Sequence, residues 1–194
     1  MKKSPVIIKS IEIVYLFIIG SVQYWGTLIR SGLIYGFVDA ALSVLVFLQE
    51  NNMYTPTNLN TKQKTGEGMP FKKRFSFIWT GLLSICLANY FFIEMGSSQY
   101  VAGPMLVASV TLFSFYHVFL VLSISIYSNK KEVQDKKWLY AYTVDYMIRK
   151  PFRSLFILLL TLSMIGMAYF NLIVFVFFVP SFFWLFVQKG LQVK

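Results

Sequence analysis

A chain of 194 residues has the length of one soluble domain, but 57% of it is hydrophobic and only 13% charged, against about 45–50% and about 25% in soluble globular chains. Too few polar groups remain to cover a water-facing surface, so lipid must supply part of the solvent and a purely soluble fold is excluded. The net charge of +10 would suit nucleic acid in a soluble protein; here the cations lie between long apolar runs, where they orient a membrane protein, and nucleic acid is not an expected partner.

A bilayer core about 30 Å thick is crossed by about 20 residues of helix. The first such run covers 6–28. Lys9 and Glu12 interrupt its start, and no small-x-small cleavage site precedes a polar stretch, so it is expected to stay as a span rather than leave as a signal peptide. A second run, 32–48, is apolar except for Asp39, and the two together are too long for one crossing. A helical hairpin follows. Residues 50–72 are polar and rich in Asn, Thr, Gly and Lys, which reads as a loop.

Third and fourth spans are expected over 74–92 and 101–127, parted by Gly96, Ser97 and Ser98. Between them and the last hydrophobic stretch, residues 136–149 place Tyr140, Ala141, Val144, Met147 and Ile148 at helical spacing, with Lys136, Thr143 and Lys150 elsewhere on the wheel. That pattern predicts a helix lying along the cytoplasmic membrane face. Pro151 can open the next helix. From 152 to 187 the only charge is Arg153, and one helix of that length would reach about 54 Å. A turn at 169–171 divides it into spans 152–168 and 172–187, the latter kinked by Pro180.

The expected fold is therefore all-α: one integral membrane domain over 1–194, with about six spans, or five and a re-entrant piece, and an interfacial helix. Of the Lys and Arg residues, only Arg30 falls on the outer side in this scheme. The positive-inside rule then puts both termini in the cytoplasm and the chain in the plasma membrane.

Asp39 is the most informative single residue. A carboxylate near mid-bilayer costs about 2.5–3.5 kcal/mol on insertion scales and so faces protein or a wet cavity. Gly32, Gly36, Ala40 and Ser43 form a small-residue stripe beside it that would admit another helix closely. Asp39 either ties two helices together, with Asn89 or His117 as partner, or handles a substrate or proton. His117, the only histidine, has no second His or Cys near it in sequence and reads as a packing residue rather than a metal ligand. Cys86 is alone, so no disulfide or thiolate cluster is expected.

No phosphate-binding loop, zinc-protease motif, nucleophile elbow or pair of intramembrane acids is present. No catalytic residue, metal or cofactor is therefore expected. The 20 Phe residues suit lipid-facing packing better than a sugar-stacking surface. On the interfacial helix, Trp138, Tyr140, Val144, Met147 and Arg149 are candidates for docking a partner protein or for contact with anionic lipid, and its basic character favours lipid.

Three segments carry a resemblance: GLIYGFVDAAL (32–42), MPFKKRFSFIW (69–79) and YMIRKPFRSLFILLL (146–160). With them the chain resembles, over nearly its whole length, the YesL-like family of small bacterial membrane proteins. The family commonly has Pro-Ala where this chain has Asp39-Ala40, which marks Asp39 as a feature of this protein. The resemblance implies a non-enzymatic accessory component of a carbohydrate importer of the ATP-binding-cassette type in Gram-positive bacteria. The partners it implies are membrane lipid, the permease subunits and a second copy of the chain. The alternative is a small substrate-binding subunit like those of energy-coupling-factor importers. The alanine-spaced first helix by which those dock is missing.

Overall fold

The computed structural model describes residues 6–53, 72–95, 99–129 and 136–191. They form α1 (Val6–Arg30), α2 (Phe37–Glu50), α3 (Lys72–Glu94), α4 (Gln99–Asn129), α5 (Lys136–Arg149), α6 (Pro151–Phe170) and α7 (Leu172–Gly190). Five stretches are long and apolar enough to cross a bilayer: Ser10–Arg30, Lys72–Glu94, Val101–Asn129, Pro151–Phe170 and Leu172–Gly190. The chain is a multi-pass membrane protein of all-α architecture. Most of the polar 50–72 stretch lies outside the described residues.

The second span is the correction. Its 14 residues extend about 21 Å, well short of a bilayer core, so five full spans stand where about six were expected. The cause is where α1 stops. Gly32 takes a φ of +77°, its N–H bonds the Ile29 carbonyl, and the Leu33 N–H bonds the Leu28 carbonyl. This is a Schellman ending with glycine in the left-handed position, and it removes 31–36 from the helix. Asn52 repeats the device at the end of α2, with φ +54° and matching bonds from Asn52 to Gln49 and from Met53 to Leu48.

α2 then runs antiparallel to α1. A Cβ on Gly36 would stand 2.8 Å from the Leu28 carbonyl oxygen, and at the far end Phe47 lies against Gly20. α7 also packs antiparallel to α1, beside α2, through a bond between the Ser21 and Ser181 hydroxyls at 3.1 Å and a contact of Phe17 with Phe182. Pro180 lies inside α7. Lacking an N–H, it leaves the carbonyl four residues earlier without its helical donor. That carbonyl belongs to Val176, and the Trp25 indole N–H of α1 donates to it at 2.9 Å. The predicted turn between α6 and α7 falls at Asn171, whose side chain caps α7 by accepting from the Val174 N–H.

The core is the C-terminal half of α4. Leu120, Val121, Leu122 and Ile124 are wholly buried, as are Val38, Ala40, Val44 and Leu48 of α2. By contrast α3 and α6 have few fully buried residues; residues such as Ile85, Phe92, Leu159 and Ile165 face outward, toward lipid. Buried and lipid-facing helices thus have the same apolar composition, and packing separates them.

Several contacts bring the helix ends to common levels. Asn129 bonds Gln188, Arg153 bonds the Leu191 carbonyl, and Tyr140 packs on Phe75. The start of α6, the ends of α4 and α7, and the end of α5 therefore share one end of the bundle. The start of α1 joins them, because α1 and α7 are antiparallel. Arg149, Lys150, Arg153 and Lys189 lie at this end, Arg30 lies at the other, and Lys72 sits beside the first turn of α2.

Candidate intramembrane site and interfacial helix

Because α2 begins only at Phe37, Asp39 falls in its first helical turn, where a negative charge is favoured by the exposed N–H groups. The first turns of α3 hold this start in place. The Val38 N–H donates to Ser76 Oγ at 3.2 Å, and Thr80 Oγ1 donates to the Ile34 carbonyl at 3.1 Å. Lys72 Nζ reaches Asp39 Oδ1 at 2.8 Å, the two side chains being 29% and 24% exposed. Asp39 therefore pairs with Lys72, correcting the expectation of Asn89 or His117. The sequence placed Asp39 by its distance along an apolar run, whereas α3 docks its cationic start beside it.

His117 occupies the junction of α3, α4 and α6. Trp79 Nε1 lies 3.0 Å from His117 Nδ1, and an indole N–H can only donate. Nδ1 is thus the acceptor, and the ring proton sits on Nε2, which faces Thr161 Oγ1 at 3.1 Å. Thr161 passes its own proton to the Ile157 carbonyl. The chain of donors is complete with a neutral imidazole. Protonation would set two N–H groups against each other across the Trp79 contact. Phe37, Phe113 and Phe183 surround the ring, so His117 is a packed connector of three helices.

Asn89 is engaged within the α3–α4 hairpin. Its Nδ2 donates to Ser109 Oγ at 3.1 Å and, more weakly, to the Met105 carbonyl at 3.4 Å. The structure does not bring Asp39, Asn89 and His117 into one cluster. The small-residue stripe also divides: Gly32 is the turn glycine of α1 with open space beside it, Gly36 backs onto Leu28, and Ala40 is wholly buried. Among the described residues no group of three His, Cys, Asp or Glu side chains is placed to hold a metal ion.

α5 has the predicted bounds. Leu139, Thr143 and Tyr146 are buried. Thr143 donates to the Leu139 carbonyl and accepts from Ser123 Oγ of α4 at 3.2 Å. The apolar stripe through Tyr140, Val144 and Ile148 is exposed, with Met147 partly covered. Thr143 sits inward because a buried hydroxyl of α4 needs a partner, which no reading of α5 alone supplies. Trp138 stacks on Tyr142, and Arg149 pairs with Asp145 at 2.7 Å, largely in the open. Packing raises the Tyr140 phenol above its ordinary value, against an opposing pull from Arg74.

Sequence reasoning missed Lys72, Ser76, Thr80, Thr161 and the Ser21–Ser181 pair, whose partners lie far away in sequence. It also missed a lateral groove of about 980 Å³ between the α3–α4 hairpin and the α5–α6 corner. No protein-family model matches this chain, and neither a curated protein nor a solved structure does.

Proposed function

We propose that the chain is a non-enzymatic accessory protein of the plasma membrane, with cytoplasmic termini, that associates with the permease subunits of a carbohydrate importer of the ATP-binding-cassette type and aids their assembly or regulation. The observation that carries the non-enzymatic part is the engagement of Asp39 by Lys72, His117 by Trp79 and Thr161, and Asn89 by Ser109. Each polar residue of the apolar segments that sequence singled out joins helices together. The choice of partner rests on the YesL-like resemblance. The orientation rests on the cationic end of the bundle.

The alternative, a substrate-binding subunit, needs Asp39 or Asn89 turned into a cavity; their mutual separation and their protein partners favour the first reading. Co-purification with a tagged sugar permease in mild detergent is the test. Stoichiometric recovery is expected, and failure to associate with such permeases under those conditions overturns the proposal. Saturable sugar or vitamin binding by the isolated chain would instead establish the alternative.

A further inference from the structure

The lateral groove has walls of bulky hydrocarbon: Leu82 from α3, Phe115 from α4, Val144 and Ile148 from α5 and Leu155 from α6. Its volume, about 980 Å³, is at the upper end of the about 300–1,000 Å³ of small-molecule sites. Two hydroxyl-bearing residues belong to the lining, Tyr116 and Ser154, and the Tyr116 hydroxyl donates to the Phe75 carbonyl. Ser154 lies in the wall, and its Oγ is buried without a hydrogen-bond partner.

The mouth is basic. Ile148 and Pro151 both line the groove, and the two residues between them are Arg149 and Lys150, both exposed. Arg149 engages Asp145 through Nε, which leaves its Nη groups for a second anion, and Lys150 lies over the Tyr146 ring at 5.3 Å.

We propose that this groove binds one anionic phospholipid. Its acyl chains lie along the Leu, Ile and Phe walls, and Arg149 and Lys150 hold the phosphate. A transmembrane helix is a poorer occupant, because close helix approach needs small residues in the walls and these are large. Flexible chains conform to such a surface. The cations at the mouth select the headgroup by the same attraction that draws basic juxtamembrane segments to anionic lipid.

The experiment is native mass spectrometry of the purified full chain, offered phosphatidylglycerol and phosphatidylcholine with identical acyl chains. Phosphatidylglycerol is expected to be retained about thirtyfold better, the order two surface cations supply. The double variant Arg149→Gln, Lys150→Gln should bring the two lipids close to parity. Val144→Trp, which fills the groove, should lower retention of both, and Leu112→Trp tests the opposite wall should Val144→Trp fail to fold. Arg30→Gln, at the far end, should change nothing. Equal retention of the two lipids by the parent chain overturns the proposal. So does full retention of phosphatidylglycerol in the folded groove-filling variants, since binding would then be to the cationic end without an acyl site. No permease is present, so this result stands apart from the co-purification.

Discussion

Asp39 and Lys72 show how a charge survives in so apolar a chain. Each is about three-quarters covered, so removing one partner leaves the other facing a poorly solvated surrounding, a loss of about 1–3 kcal/mol for a hydrogen bond to a charged group. Asp39→Asn should therefore lower thermal stability modestly while preserving the fold, and Asp39→Lys should lower it more by placing two cations together. The swapped pair, Asp39→Lys with Lys72→Asp, should recover part of that loss, less the penalty of a cation in the first turn of α2. A thermal-unfolding double-mutant cycle in detergent measures the coupling; additive effects would show that the contact contributes nothing. His117 gives a second case. Trp79→Phe removes the only donor shown to Nδ1 and should cost about 1–3 kcal/mol. Added Zn²⁺ should leave the unfolding temperature of the parent unchanged, because both ring nitrogens already have partners; a metal-dependent rise would contradict that arrangement.

Among the elements, the decisive events occur where helices end and cross. Gly36 is fixed by contact, since an added Cβ meets the Leu28 carbonyl at 2.8 Å, and backbone cannot give way as a side chain can. Gly36→Ala should thus force α1 and α2 apart and destabilise by more than 1 kcal/mol, whereas Gly26→Ala, with nothing near its Cβ, should stabilise or be neutral because alanine is the better helix former. Unfolding temperatures of the two variants, moving in opposite directions, check this. The same junction explains what sequence could convey. Apolar runs broken by charges define α1, α3, α4, α6 and α7, because lipid demands long apolar segments and cations mark their ends. The length of α2 was hidden, since Gly32 reads equally as a packing residue and as a turn. The inward face of α5 was hidden too, because Ser123 of α4 sets it. No periodicity within one helix reveals a partner in another, and the same holds for Trp25 and the carbonyl that Pro180 leaves free, 151 residues apart in sequence.

At the scale of the molecule, the short α2 changes the span count without changing the parity of the path. α1 leaves the cationic end, α2 returns toward it antiparallel to α1, and α3 starts beside the first turn of α2, where Lys72 meets Asp39. α4 comes back, α5 stays, and α6 and α7 make the last excursion around Asn171. Cysteine scanning on a Cys86→Ser background checks this path. Labels at Asn51, Lys137 and Lys189 should react from one face of the membrane, and labels at Ser31, Met95 and Tyr169 from the other. Met95 and Tyr169 are 82% and 88% exposed, so accessibility itself will not limit their reaction. In the orientation proposed from the positive-inside rule, the first group should react only after the membrane is permeabilised. Asn51 is the discriminating position, because it follows a helix of 14 residues, too short to cross. Labelling of Asn51 from the Ser31 side would contradict the antiparallel packing in which Gly36 backs onto Leu28 while Phe47 lies against Gly20.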